Sequence, residues 1–547
     1  MSSPHHQERG GRGRGGGRFP GRGRDGGRGG GRGRGRGPSD FGGLWDPTVK
    51  WVFDDASSGG GDGGGGGARE AGINKKRARD YHAQGRAGQR APTKEASAAL
   101  AALEMRRFKL VKRLRHQFSL TCAGLKIPPP LLAFERWLAR AMLQGGDAIP
   151  TPMLPAIDAG RGLGRDLHRA GVEDLAAADA AASDLADASA ALAAKLSEPP
   201  DADAADDAPR DADAVVTVDD AGPLLALKVN AQKPYMQVSK QHMGKLRALY
   251  SRHSLGGAPL PPEGSSEHAA FAASVFALLA RYDACGGAGY QAALGEKAFD
   301  VLKKRVGVGC EAFASPLNAR YGRFCSAFPD VDGPFGSLGS FFDFAPTRGS
   351  FEMNPPFVPE VLLAAAERAE KLLRTAEESD SRLSFVVVVP AWRDVPMWTA
   401  LEKSAFKRGD ALIVPASAHG YCDGAQQIRS PSERHRVSSY DTGVFFLQTT
   451  AGARRWPVTE EIRAELLEGM KAAVGSAATT GDLEKRWRGD KGGGRDEGGK
   501  QKRFVEKQKR EKSEQRDRER GEEDGGGGEK RKDGEKRKRR RRKRETE

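Results

Sequence analysis

The chain has 547 residues, of which 38% are apolar and 72 are glycine. That is length for about three or four domains but too little apolar material to fill them, so one enzyme-sized folded region between long disordered ends is expected. A formal net charge of +16 and a pI near 9.6 point to an acidic polymer, nucleic acid first, as partner. Five cysteines, widely spread and without a C-x-x-C pair, exclude a disulfide framework and a zinc ribbon and fit a reducing compartment. Met1 leads directly into polar Gly/Arg sequence, so no signal peptide is expected. The apolar run 385–389 is strand length, far short of the roughly 20 residues a membrane span needs.

Residues 1–92 read as a disordered arm. Arg9, Arg12, Arg14, Arg18, Arg22 and Arg24 alternate with glycines, and arginines on such a flexible chain can stack on bases and neutralise phosphates without reading sequence. Trp45 and Trp51 stand too close together for a WW domain. Residues 93–155 predict a helical segment: Leu100, Leu103, Phe108, Leu110, Val111, Leu114 and Phe118 follow a 3.6 period, with Arg106, Arg107, Lys109, Lys112, Arg113 and Arg115 between them. After Pro128 to Pro130 a second helix carries Phe134, Trp137, Leu138 and Met142. Residues 156–222 read as an acidic, mobile Ala/Asp insertion, with Asp201 to Asp213 crowded together. Helices are expected over 235–252 and 268–282, so that 223–300 continues the helical domain.

The stretch 350–357, Ser-Phe-Glu-Met-Asn-Pro-Pro-Phe, reads as a strand end running into a proline-locked turn. Methylating an exocyclic amine requires the amine to be gripped and aimed. The Asn354 side-chain carbonyl can accept one N–H and the Pro355 carbonyl the other. Pro355 and Pro356 fix φ near −65°, so both acceptors are set before substrate arrives, and Phe357 offers a face for a flipped base. The plain alternative is an ordinary Asn-Pro-Pro turn with a core aromatic behind it. Ala314, Ser315 and Pro316 form a candidate cofactor turn after a strand at 310–313. Strands at 385–389, 411–414 and 444–448 and helices at 358–373 and 401–406 complete an alternating α/β order over 301–473. His419, Cys422 and Asp423 supply one histidine and one cysteine, and no metal site is expected. Residues 474–547 are a charged tail whose basic cluster at 536–544 reads as nuclear localisation or phosphate binding.

Residues 311–318, 324–333, 342–346 and 349–357, followed by 385–393, 408–415 and 444–448, together resemble the phosphorylated CTD-interacting factor family of cap-specific adenosine methyltransferases. The likeness covers 225–473 and, through Phe134 to Leu138, extends more loosely over 95–145. It implies an α/β fold, a Rossmann-like S-adenosylmethionine-dependent core with an accompanying helical domain. It also implies methyl transfer from S-adenosyl-L-methionine to the N(6) amine of the first transcribed 2′-O-methyladenosine of capped mRNA. By match, Asn354, Pro355, Pro356, Phe357 and Val358 lie against cofactor and base, and Trp392, Arg393, Asp394, Val395 and Pro396 form the substrate loop. Arg113 and Arg136 are candidates to read the cap. A nuclear monomer acting on capped mRNA is expected, with no membrane partner. No WW domain is found, which leaves RNA polymerase II recruitment without its module, and Pro359 stands where the family has an acidic residue, with Glu360 next to it. Internal adenines in RNA or DNA, and an idle RNA-binding scaffold, are the alternative readings.

Overall fold

The computed structural model describes residues 93–144, 153–156, 162–198, 214–233, 235–286 and 288–474. The Arg-Gly arm, the Asp-rich stretch 201–213 and the basic tail lie outside the described residues, and with them the expectations placed there. No helix among the described residues is long and apolar enough to cross a membrane.

The helical part begins with α1 (Lys94–Gly124), capped by the Thr93 hydroxyl accepting from Ala96 N–H. Ala101, Met105, Val111, Leu114 and Phe118 are buried along one side, the stripe expected of a core-facing helix. Next come α2 (Ala133–Gln144), α3 (Gly162–Arg169) and α4 (Leu175–Ser197). The mobile insertion expected over 156–222 is corrected here: α3 and α4 lie inside it. Ala178, Ala182 and Leu185 of α4 are buried while Asp184 and Asp187 face outward. Alanine's helix propensity and a small-residue stripe that packs on α1 outweigh the carboxylates.

An antiparallel sheet of β1 (Val216–Ala221), β2 (Leu224–Val229) and β3 (Met236–Ser239) follows. The helix expected from 235 therefore starts five residues late, as α5 (Lys240–His253), capped by Ser239. Its long partner α6 (Ser266–Cys285) is buried nearly throughout, from Ala270 to Tyr282, and packs against α1.

The second part is a three-layer α/β unit. In chain order it contains α7 (Glu296–Val306), β4 (Cys310–Glu311), α8 (Pro329–Asp332), β5 (Gly349–Met353), α9 (Pro359–Glu378), β6 (Leu383–Pro390), α10 (Pro396–Glu402) and β7 (Leu412–Val414). The hairpin β8 (Gly420–Cys422) and β9 (His435–Val437) precedes β10 (Thr442–Gln448), α11 (Thr450–Arg455) and α12 (Glu460–Lys471). The five-stranded sheet has the order β4-β5-β6-β10-β7; β4, β5 and β6 run parallel, and β10 is antiparallel to both neighbours. Alternation sorts its side chains. Phe385, Val387, Val389, Phe445 and Leu447 face α9 and α10, whereas Val386, Val388, Val444 and Phe446 face α7 and α12. Gly443 admits the Trp398 ring, which would stand 2.6 Å from a Cβ at that position.

Three boundaries differ from expectation. The strand expected at 310–313 ends at Glu311. The helix expected at 401–406 lies at Pro396–Glu402, because Pro396 supplies a ready-made first turn. The division expected at residue 301 falls inside α7.

Candidate active site

Period-two alternation in β5 puts Glu352 and Asn354 on one face and sends Phe351 and Met353 into the core beneath α9. The Asn354 Nδ2 donates to the Ala292 carbonyl at 3.2 Å. A carbonyl only accepts, so this bond fixes which end of the amide is nitrogen and leaves Oδ1 as an acceptor for a ligand. The Pro356 carbonyl is taken by the Val358 N–H at 2.7 Å in a three-residue turn. Among the described residues no backbone N–H binds the Pro355 carbonyl. The turn thus presents two acceptors and, since proline carries no N–H, no competing backbone donor at Pro355 or Pro356.

An aromatic wall stands beside it. Phe357 meets Trp392 edge-on with ring centroids 6.2 Å apart, and Trp392 meets Tyr440 at 5.3 Å. Phe357 also lies 6.5 Å from Tyr421. Phe357 and Trp392 are half-buried and Tyr440 is 48% exposed, so the wall opens to solvent on one side. Behind it a hydrogen-bond chain locks Tyr421. His419 Nδ1 must donate to the Pro415 carbonyl at 2.7 Å, which makes Nε2 an acceptor for the Thr442 hydroxyl at 2.8 Å. Tyr421 in turn donates to Thr442 Oγ1 at 2.8 Å. Burial lowers the His419 pKa, in keeping with this neutral tautomer.

Glu352 is 2% exposed, and its Oε1 has no hydrogen-bond partner among the described residues. Burial, and then the neighbouring Glu311 carboxyl, raise its pKa well above the ordinary carboxylate range. Glu311 sits opposite it in the parallel register and accepts the N–H groups of Arg320 and Tyr321 at 2.8 and 2.9 Å. A folded pKa raised above the unfolded value means the folded chain holds a proton that the unfolded chain releases above about pH 4.5. Stability contributed by that proton falls as pH rises, by up to about 1.4 kcal/mol per pH unit. Glu352→Gln is therefore expected to flatten the pH dependence of the urea midpoint between pH 5 and 7.5; an unchanged slope would mean Glu352 ionises normally in the fold.

Sequence reasoning missed the segment that gathers these parts. The Gln291 carbonyl accepts from Asn318 Nδ2 at 2.9 Å, the Ala292 carbonyl holds Asn354, and Ala293 exchanges both backbone bonds with Cys422. Nothing in the apolar pattern of Ala292-Ala293-Leu294 marks it. Glu352 was missed as well, although a carboxylate inside an apolar strand is a legible signal.

The candidate cofactor turn is closed on itself. Ser315 N–H and Oγ both bond Asn318 Oδ1, at 2.6 and 3.0 Å, and Ser315 and Pro316 are buried. Ala314 N–H is held by the Cys325 carbonyl, and buried Lys245 of α5 braces the turn through the carbonyls of Leu317 and Ala319. These side chains set the turn's shape, while the half-buried Ala314 offers it a surface.

Of the expected substrate loop, Trp392 joins the wall. Arg393 is exposed with its guanidinium over Trp398 at 5.7 Å, Asp394 is exposed, and Val395 and Pro396 start α10. Arg136 is held in α2 by Asp166 at 3.1 Å and by the Leu131 carbonyl, and Tyr290 lies beside it. The neighbouring Arg140 joins the same Asp166 at 3.0 Å and approaches Glu360, just past the proline turn, at 4.0 Å. Arg113 lies elsewhere, in a groove of about 810 Å³ between α1 and α4 that is lined by Lys109, Lys112, His116 and Lys195 over an apolar floor.

One comparison with known proteins covers the residues of the proline turn. The family model described as "Phosphorylated CTD interacting factor 1 WW domain" matches residues 245–424. That match overturns the expectation that no WW domain of this family is detectable; the matched residues run from within α5 to just past β8. The chain is 40% identical over 239 residues to the human protein named "mRNA (2'-O-methyladenosine-N(6)-)-methyltransferase", covering 42% of this chain and 32% of the relative. The mouse protein of the same name is 39% identical over 244 residues, covering 43% of this chain and 33% of the relative. The chain thus spans about a third of the length of these curated relatives, and the family match includes the proline turn at 354–357.

Proposed function

We propose that the chain is an S-adenosyl-L-methionine-dependent methyltransferase with a Rossmann-like core and an accompanying helical domain. On this reading it methylates the N(6) amine of the first transcribed, 2′-O-methylated adenosine beside the 7-methylguanosine cap of mRNA. One observation carries the reading: the Asn354 amide is pinned by its nitrogen end to Ala292, so that Oδ1 and the Pro355 carbonyl are paired acceptors next to the Phe357–Trp392 wall. Two acceptors suit an exocyclic amine, which has two hydrogens, and the wall suits a base taken out of its stack. The curated relatives' names support the same reaction and substrate.

The cofactor supplies a methyl group on a sulfonium centre. The residues present fit it: the buried Glu352 carboxyl has an oxygen without a hydrogen-bond partner among the described residues near the end of β5, suited to a hydroxyl or ammonium group. The turn at Ala314 follows the adjacent parallel strand β4, the edge where such sheets take ligands. In our reading Asn354 and Pro355 hold the amine through the transition state, and as nitrogen becomes tetrahedral and its hydrogens grow acidic these acceptors bind more strongly. Phe357, Pro356 and Val358 shape the floor, and Trp392 closes the side. Arg393, exposed at the wall's edge, is available to a phosphate. Arg136 is a positioning candidate, because a phosphate would have to displace Asp166 from it.

Capped mRNA is the proposed partner, and the family's description supports the phosphorylated C-terminal domain of RNA polymerase II as a second. A nuclear monomer is part of the proposal, supported by the basic cluster at 536–544. The test is methyl transfer from labelled S-adenosylmethionine by the full chain to RNAs matched except at the 5′ end. Label on capped RNA beginning with adenosine, and none on its uncapped or guanosine-initiated counterparts, is expected. Equal labelling of uncapped RNA or DNA would replace the cap reading with an internal-site adenine methyltransferase, and absence of label on every substrate would favour the scaffold.

A further inference from the structure

Outside the candidate active site, one cluster joins three side chains of ligating chemistry from three separate elements. Cys422 of β8 and His435 of β9 face each other across the antiparallel pair. Glu296, the first residue of α7, brings Oε2 to 3.1 Å from His435 Nε2. The thiol sulfur, the imidazole nitrogen and the carboxylate oxygen all lie within 4.8 Å of one another. We propose that Glu296, Cys422 and His435 form a three-ligand site for a divalent ion of the zinc class, with water as the fourth ligand.

The chemistry of the set selects the metal class. Calcium and magnesium take oxygen ligands, whereas a sulfur, a nitrogen and an oxygen together suit zinc or a similar borderline ion. Tetrahedral bonds of about 2.0–2.3 Å put neighbouring ligand atoms roughly 3.3–3.8 Å apart, so the spacing already present needs little adjustment. Cys422 is buried and the other two are half-buried, which gives solvent access to a fourth position. One thiolate and one carboxylate neutralise a dication. The ligating forms are a thiolate, a neutral imidazole nitrogen and a carboxylate, so binding of the ion is coupled to proton release.

The site is structural in position. Cys422 exchanges backbone bonds with Ala293 at 2.7 and 3.2 Å, and the next carbonyl, that of Ala292, orients Asn354. The ion would fasten α7, β8 and β9 around the segment that aims the amide.

Metal content of the full chain tests the site without any assay of methyl transfer. After equilibration with zinc and exhaustive dialysis, the wild-type protein is expected to retain one equivalent more than Cys422→Ser and His435→Ala. Cobalt loading should give a thiolate-to-cobalt charge-transfer band that Cys422→Ser lacks. Glu296→Gln, which keeps the side chain's shape, should weaken zinc binding about tenfold or more. Equal metal content in wild type and variants, or a wild-type cobalt complex without the thiolate band, overturns the proposal even if one variant folds poorly.

Discussion

Replacing Asn354 with alanine is expected to lower kcat for methyl transfer by about 10²–10³-fold, the cost of removing one preorganised partner of transition-state charge. Affinity for S-adenosylmethionine should change little, because the amide's nitrogen is committed to Ala292 and, on the proposed reading, its oxygen serves the amine. Asn354→Asp is the sharper variant. A carboxylate accepts but does not donate, so it loses the Ala292 bond and sets an anion against that carbonyl. Single-turnover rates and equilibrium cofactor binding separate the two effects. A parallel fall in kcat and cofactor affinity would make Asn354 a cofactor ligand rather than the amine's anchor.

The largest effect on stability is expected from Arg281. Its guanidinium is 3% exposed and forks between two carboxylates: Nε and Nη2 donate to Glu104 at 2.8 and 2.6 Å, and Nη1 and Nη2 to Asp330 at 3.2 and 2.7 Å. These bonds tie α6 to α1 and to α8. Glu104 is 1% exposed and also pairs with Arg107. Arg281→Met should cost about 3–5 kcal/mol, read as a shift of the urea midpoint, since it leaves a buried carboxylate short of counter-charge. The double variant Arg281→Met with Glu104→Leu should recover part of the loss, because replacing a buried pair costs less than breaking it. A single-variant loss under about 1 kcal/mol would mean that Arg107 and solvent already satisfy Glu104.

How much of this was legible depended on how local the cause was. The strand 385–389 and the helix after Pro359 were readable because a valine run and a 3.6-period stripe are local patterns. The proline turn was readable for the same reason, since two fixed φ angles need no tertiary help. The helix α4 was misread because six aspartates in 201–213 coloured the reading of a segment whose buried side is alanine. β3 was missed because four residues beside a strong helix carry too little period to register. Trp392 and Phe357 were each readable as stacking faces, but their meeting, and the arrival of Tyr421 and Tyr440, depend on where β6 and the loop before β10 end in space. At Arg136 the charge was visible in the sequence, and its pairing with Asp166 was not.

The segment 291–293 precedes the first strand of the five-stranded sheet in the chain, yet the turn that follows the second strand hangs from it. The α/β part therefore cannot be severed from the helical part at the seam the sequence offers, residue 301. A fragment beginning at residue 301 would discard the first turn of α7, the Ala293 backbone that bridges to Cys422 and the carbonyl that holds the Asn354 amide. Such a piece would lack the hydrogen bond that orients the Asn354 amide. The segment 288–293 belongs structurally with the sheet it precedes, and a chimera or truncation that respects this places its junction before residue 288.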